Sequence, residues 1–268
     1  MVAGSGPELV WVAGGVGAYG AAALWALWSR RREQIVLALL LAGILCLGWA
    51  VARRWSHFGQ GPFMTLYEVL LSNLLTLGTV ALVAFSISDG ARAGARVVLA
   101  VLVALGAWTL SLPTEPVLLP PTFDNPWLWV HVLTGKVFLG TCLVAVGVAT
   151  QLLVLWWRAR PAPMSPEPRQ LDGTMWRFMS IAFVFHSAML LAGSVWARDA
   201  WGRYLAWDPL ETWSFLTWLL LAVVLHLRLT VRLALPVGWG LVLAVFALAF
   251  LTFLGVPFLS HAPHQGVF

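Results

Sequence analysis

The sequence predicts an all-α fold: a polytopic transmembrane helical bundle of about eight spans, with N- and C-termini on the outer, extracytoplasmic side. Three observations carry this. Of 268 residues, 60% are hydrophobic and only 10% are charged, where a soluble domain carries roughly 25% charged residues. The charges cluster so as to leave eight long apolar stretches, each near the ~20 residues that cross a bilayer as a helix. There are 17 tryptophans, more than interfacial belts require. This composition excludes a cytosolic globular enzyme, a disordered chain and a disulfide-stapled secreted domain. The net charge is +5. There is no Lys/Arg-rich block and no glycine-rich phosphate loop, so the lipid bilayer, and no nucleic acid, is the expected surrounding partner. Cys46 and Cys142 stand alone in apolar runs, with no CxxC or CxxCH pattern, and read as core residues.

In chain order the spans are expected near 9–29, 34–52, 64–88, 97–114, 131–157, 175–197, 210–229 and 236–256, within a single membrane domain covering 1–268. The first is followed by Arg30, Arg31 and Arg32 rather than preceded by basic residues, so it does not read as a cleavable signal peptide. The second ends at Arg53 and Arg54. After the fourth, Pro113, Pro116, Pro120, Pro121 and Pro126 make an outer loop too proline-rich to be helical. The fifth opens at His131, and a polar inner linker, 158–174, leads to the sixth. A tryptophan-rich outer loop, 196–213, joins the sixth to the seventh. With the N-terminus outside, the inner loops hold Arg30, Arg31, Arg32, Arg92, Arg96, Arg158, Arg160, Arg169, Arg177, Arg228 and Arg232. The outer side holds Arg53, Arg54, Lys136, Arg198 and Arg203. Eleven against five is the positive-inside direction, although Arg53 and Arg54 oppose it locally.

The chemistry concentrates between the sixth and seventh spans. Trp196, Trp201, Trp207, Trp213 and Trp218 fall within 23 residues. Flat aromatic surface beside a few charges suits a large, planar, amphipathic ligand, with Arg198 or Arg203 near its carboxylates. Asp208-Pro209-Leu210-Glu211 also reads as a helix N-cap with proline at the first helical position, so Asp208 has a structural reading beside the functional one. Six histidines complete the picture: His57, His131, His186, His226, His261 and His264. His131 opens the fifth span outside, and His261 and His264 follow the eighth, also outside. Two neutral imidazoles flanking a tryptophan platform are suited to bis-axial ligation of a haem iron. His226 lies about five turns along the seventh helix from Asp208. There it is either a functional intramembrane residue or a side chain snorkelling beside Arg228. His186, at mid-depth of the sixth span, reads either as a hydrogen-bonded packing residue or as a partner for His226.

At these residues the chain resembles the CcsA (ResC) family of system II cytochrome c biogenesis, within the haem-handling superfamily marked by the tryptophan-rich WWD motif. The run Trp196-Ala197-x-x-Ala200-Trp201-Gly202-x-Tyr204-x-x-Trp207-Asp208-Pro209-x-Glu211-Thr212-Trp213, with His226-x-Arg228 after it, is similar to the family pattern nearly throughout. Pro126-Trp127-Leu128-x-x-His131-Val132 resembles the family's outer histidine segment, and Gly255-Val256 before His264 its C-terminal one. Gly59, Pro62 and Leu66-Tyr67-Glu68 resemble the segment opening the third helix. The chain departs from the pattern at Pro257 (usually asparagine), at Gln265-Gly266 after His264 and at the offset of His57, and His261 is an additional ligand candidate.

The resemblance implies a haem translocation and presentation subunit. Haem b, bound non-covalently, would enter from the cytoplasmic side near His226. It would reach a platform of Trp196, Trp201, Trp207, Asp208 and Trp213, with His131 and His264 as axial ligands of the haem iron and Arg198 and Arg203 on the propionates. His186, His261 and His57 are additional candidates, and no residue is assigned as catalytic. An apocytochrome c CxxCH segment would receive the haem through thioether bonds. The implied partner is a CcsB/ResB-like membrane subunit, the two forming a holocytochrome c synthase (cytochrome c haem lyase), with the activity of the single chain left open. The setting would be a cytoplasmic (inner) or thylakoid-type membrane with the active face outside. Two other readings stay open: a CcmC-like system I haem chaperone, and, from a different class, a structural or transport membrane subunit.

Overall fold

A computed structural model describes residues 8–28, 33–61, 64–158 and 166–256. Its helices are α1 (Leu9–Trp28), α2 (Glu33–Phe58), α3 (Leu66–Ile87), the single turn α4 (Asp89–Arg92), α5 (Ala95–Leu110), α6 (Pro126–Arg158), α7 (Pro166–Trp201), α8 (Pro209–Thr230) and α9 (Leu235–Phe250). A 3₁₀ turn at Pro121–Phe123 precedes α6, and a π-helical turn, Leu251–Gly255, extends α9. No β-strand occurs among the described residues. Among the described residues, seven helices are long and apolar enough to cross a membrane, and α5, apolar but 16 residues long, is an eighth, shorter one. The protein is an all-α, multi-pass membrane protein.

The chain forms two compact units. The first contains α1, α2, α3 and α5. Small residues let its helices approach, the usual device where lipid removes any hydrophobic drive between helices. A Cβ on Gly15 would stand 3.1 Å from the Gly43 carbonyl oxygen, and one on Gly78 would strike the Tyr19 hydroxyl. That hydroxyl donates to the Leu74 carbonyl at 3.1 Å, tying α1 to α3. Above this notch Arg54 is buried, 1% exposed. Its Nη1 donates to Glu8 Oε1 at 2.7 Å and to the Thr114 carbonyl at 3.1 Å, and its Nε donates to Glu68 Oε1 at 2.8 Å. Glu68 Oε2 also accepts from the Met64 and Thr65 N–H groups and so closes the start of α3. Arg54 is therefore an internal ion pair rather than an outer loop charge.

The second unit contains α4, the 3₁₀ turn, α6 to α9 and the π turn. Its centre is α6, buried almost without interruption from Gly135 to Ala149. Lys136 lies in that buried stretch, so it too is not an exposed outer charge. At 33 and 36 residues, α6 and α7 run roughly 50 Å at 1.5 Å per residue, beyond a ~30 Å hydrocarbon layer. The helices overrun the apolar stretches because polar residues complete their ends. Asn125 Oδ1 accepts from the Trp127 N–H at 2.8 Å with Pro126 at the first helical position, so His131 sits more than a turn inside α6 rather than at its opening. Similarly, α7 starts at Pro166, inside the expected inner linker, and continues through Trp196 to Trp201. The connection expected over 196–213 thus shortens to the non-helical residues 202–208.

One end of this unit is fastened by Asp172. Its Oδ1 accepts from the indole N–H groups of Trp176 (3.2 Å) and Trp239 (2.8 Å), and its Oδ2 accepts from Arg228 Nη2 at 2.9 Å. One buried carboxylate so joins α7, α8 and α9, with the guanidinium also 5.5 Å from the Trp176 ring centre.

Candidate functional site

The opposite end of the same unit holds a cavity of about 440 Å³ between α6, α7, α8 and the π turn, within the range of small-molecule and cofactor sites. His131 contributes from α6. Its Nδ1 lies 2.9 Å from the Met189 carbonyl oxygen. A carbonyl only accepts, so Nδ1 carries the hydrogen and Nε2 is the nitrogen with the lone pair, the arrangement that prepares an imidazole for a metal. The α7 backbone comes close enough because residue 193 is glycine: a Cβ there would stand 2.5 Å from His131 Nδ1.

Behind His131 stands Trp196, its ring stacked on the imidazole at 6.1 Å and 28°. Trp196 is only 2% exposed. Its Nε1–H donates to the Thr122 carbonyl at 2.9 Å, and Phe123 and Trp201 meet its ring edge-on at 5.2 and 4.9 Å. It is a packed wall holding His131, not an open platform. Asn125 Nδ2 adds a bond to Asp199 Oδ2 at 3.1 Å, joining the starts and ends of α6 and α7 at this level.

The seven-residue connection is shaped by backbone chemistry. Gly202, at φ +76°, closes α7 by donating its N–H to the Arg198 carbonyl at 2.8 Å, a left-handed stop that glycine adopts without a Cβ penalty. Trp207 has φ +55° and is the single non-glycine residue with positive φ among the described residues. Asp208 caps α8, its Oδ1 accepting from the Glu211 N–H at 2.9 Å, with Pro209 at the first helical position. Glu211 answers from the other side. Its Oε2 accepts from the N–H groups of Ala206 at 2.7 Å and Trp207 at 2.8 Å. Trp207 is thereby held at the cavity, 61% exposed. The capping role read from the sequence for Asp208 is present in the structure.

The remaining walls are aromatic and aliphatic: Leu190, Leu210, Phe215, Trp218 and Phe253, with Tyr204 and Leu205 from the connection. Trp218 stacks between Phe183 (5.5 Å, 24°) and Phe215 (5.9 Å, 22°), and its Nε1–H donates to Ser187 Oγ at 2.8 Å. Of the tryptophans expected to form the platform, Trp207 lines the cavity, while Trp196 and Trp201 stand behind His131 and Trp213 is part-exposed away from it. Phe215 and Phe253 were not singled out from sequence, and Trp218 and Glu211 were named with the tryptophan motif but not in the platform or ligand set. Trp218 and Phe215 sit one turn apart on α8, a helical spacing from the cap that marks them in retrospect.

Arg198 and Arg203 are exposed and do not line the cavity. The Arg198 guanidinium lies over the Tyr204 ring at 5.4 Å. His226 is exposed near the far end of α8, while Arg228, about 200° round the helix from it, turns inward to Asp172. His186 is fully buried, and neither of its ring nitrogens has a partner among the described residues. The structure therefore pairs it with neither His226 nor a packing hydrogen bond. His57 belongs to the first unit, exposed, with its ring edge-on to Phe58 at 4.7 Å. His261 and His264 lie outside the described residues.

A family model described as cytochrome C assembly protein matches residues 63–264, which include the whole of this cavity. The chain belongs to this family. Among curated relatives, the cytochrome c biogenesis protein CcsA of Chlamydomonas reinhardtii is 28% identical, covering 87% of this chain and 69% of the relative. That of Trieres chinensis is 27% identical over 89% and 88%. That of the cyanobacterium Thermosynechococcus vestitus is 30% identical over 69% and 72%. The CcsA resemblance read from the tryptophan motif is thus matched by relatives spread along the chain. Among solved structures, a cytochrome c heme lyase, CcmF, superposes with a TM-score of 0.63 at 22% identity. The match covers 92% of this chain and 45% of that one, and it shows a shared fold. The cytochrome c assembly family member described here has its role in cytochrome c biogenesis.

Proposed function

We propose that this protein holds haem, as cargo, in the cavity at His131 and presents it for attachment to an apocytochrome c. One observation carries the reading: an imidazole fixed by Met189 so that its Nε2 carries the lone pair, in the wall of a largely apolar and aromatic cavity of about 440 Å³. The donor set fits the cargo. A neutral imidazole serves the iron, Trp207, Phe215 and Trp218 offer flat surface to a macrocycle, and Arg198 in the last turn of α7 and Arg203 on the adjoining connection stand exposed for its carboxylates. His264 is the second axial ligand in this reading, with His261 as its alternative.

The chain's own residues position rather than react. Met189 and Gly193 set His131, Glu211 sets Trp207, and apolar walls keep water from the iron. Each apocytochrome cysteine then adds its S–H across a vinyl C=C of the haem, forming a C–S bond while the hydrogen passes to the other carbon, so no external oxidant is consumed. His226, exposed on α8, is the intramembrane residue at which haem enters, and its exposure supports a neighbouring helix from a CcsB/ResB-like subunit. An ionisable side chain facing lipid alone is costly. The active face is the outer one, where the CxxCH client approaches.

The test is purification from haem-replete cells followed by absorption spectroscopy of the wild-type chain and of His131→Ala. Bound haem with a nitrogen-ligated spectrum, changed in the variant, is the expected result. A wild-type chain without haem removes the proposal. Co-expression with and without a CcsB-like subunit, scoring covalent haem on a CxxCH reporter, tests the presentation step.

A further inference from the structure

His186 has a place in the fold that the proposed site does not use. It lies on α7, wholly buried, its ring stacked on Phe138 at 4.0 Å and 20°. Phe253 meets it edge-on at 6.3 Å and meets Phe138 at 6.1 Å. A neutral imidazole brings one donor and one acceptor, and buried polar groups are paired with few exceptions. Here both ring nitrogens lack a partner among the described residues. At mid-depth of a spanning helix no bulk water stands by to replace one. Such an imidazole in an apolar setting is a metal ligand by chemical type.

Two observations put a ligand-sized space beside it. Ser187, its chain neighbour, and Phe253, its edge-on neighbour, both line the cavity that contains His131. Phe253 thus borders both that cavity and His186. It stands on the π-helical turn Leu251–Gly255, a backbone form that recurs at functional sites. The two imidazoles are also at adjacent levels: Met189, whose carbonyl orients His131, is three residues from His186, a rise of about 4.5 Å along α7.

We propose that His186 is an inner ligand for the iron of the haem cargo, reached when Phe253 turns aside, which holds haem one level below His131 before the outer site takes it. The transfer exchanges one imidazole nitrogen for another on iron, with no change of oxidation state and no proton released. The proposal rests on the haem-binding reading above.

The test uses the full chain from haem-replete cells, comparing wild type, His131→Ala, His186→Leu, the double variant and Phe253→Ala by haem content and by the low-spin absorption and electron paramagnetic resonance signals. His186→Leu fills the site with an apolar side chain of similar size against Phe138 and so is expected to keep the protein abundant. His131→Ala is expected to retain a nitrogen-ligated haem pool that the double variant loses by roughly tenfold or more, as befits removal of a metal-site interaction. A second readout needs no haem: in protein from haem-starved cells, diethyl pyrocarbonate is expected to modify His186 in Phe253→Ala and to spare it in wild type. Equal haem content and spectra in His131→Ala and the double variant, or equal modification of His186 with and without Phe253, overturns the proposal. Haem absent from wild type overturns the parent reading as well. Haem present in wild type and changed in His131→Ala, with no further loss in the double variant, overturns this inference alone.

Discussion

Glu211 fixes Trp207 in a left-handed backbone conformation. One carboxylate oxygen accepts the consecutive N–H groups of Ala206 and Trp207 at 2.7 and 2.8 Å, and φ at Trp207 is +55°. A non-glycine residue held in this region stores about 1–3 kcal/mol, a strain that persists only where surroundings impose it. Hydrogen bonds to a charged acceptor return about 1.5–3 kcal/mol each, so the carboxylate outweighs the strain. Its removal frees the connection to relax and swings the indole off the cavity.

Glu211→Ala is therefore expected to lose haem while costing about 2 kcal/mol in stability. Trp207→Gly, which suits positive φ, is expected to leave stability near wild type and still lose haem, because the ring is gone. Thermal unfolding in detergent and haem content per protein separate the two. Equal haem loading in wild type and Trp207→Gly sinks the idea that the indole faces the cargo.

Gly193 offers a test of His131 that leaves the imidazole in place. An added Cβ would stand 2.5 Å from Nδ1 and 2.8 Å from Cε1, so Gly193→Ala must push the ring away from the Met189 carbonyl. The ring then loses the bond that sets its tautomer and direction, an outer-shell loss worth about 10–100-fold in metal affinity. The expectation is normal abundance with haem content down by at least about tenfold, measured by pyridine haemochrome. Gly193→Ala protein that loads like wild type contradicts it.

At the other end of the same unit, Asp172 serves three donors on three helices. Asp172→Leu leaves two indole N–H groups and a guanidinium without an acceptor, each unsatisfied buried donor costing about 1–3 kcal/mol. Arg228→Leu removes a partner that is part-exposed and leaves the indoles satisfied, so its cost is about 1 kcal/mol or less. Membrane abundance of Asp172→Leu is expected to fall well below that of Arg228→Leu. The reverse order contradicts the clamp.

The helices were legible because apolar length is a one-dimensional signal that bilayer thickness imposes. Their ends were not, since Asn125 and Pro126 extend α6 past the apolar run and α7 carries the motif's first tryptophans within its last turns. The motif marked the end of the unit at which the cavity lies, and Asp208 read correctly as a cap. Which indole faces the cavity depends on the rotation of α7 against α6 and α8, which no spacing encodes. Trp196 and Trp218 are equally plausible as letters, yet one is a buried wall bonded to Thr122 and the other lines the cavity. For Arg54 the missing knowledge was its partner Glu8, 46 positions away.

That last pairing yields a prediction about topology. Arg54 is paired with Glu8 and Glu68, with side chains of all three at most 2% exposed, and the expectation is that a cation so buried does not act among the loop charges that orient the chain. Arg54→Leu is expected to leave orientation unchanged in reporter fusions at Trp28 and Phe58. It is also expected to lower abundance sharply, because two buried carboxylates lose their cation, a loss of about 3–5 kcal/mol. Adding Glu8→Leu to Arg54→Leu removes one stranded charge and should recover part of the abundance. Glu68 still accepts the Met64 and Thr65 N–H groups, so a carboxylate remains satisfied at the start of α3. An Arg54→Leu population whose N-outside share rises above that of wild type would show that Arg54 acts as a topogenic charge after all.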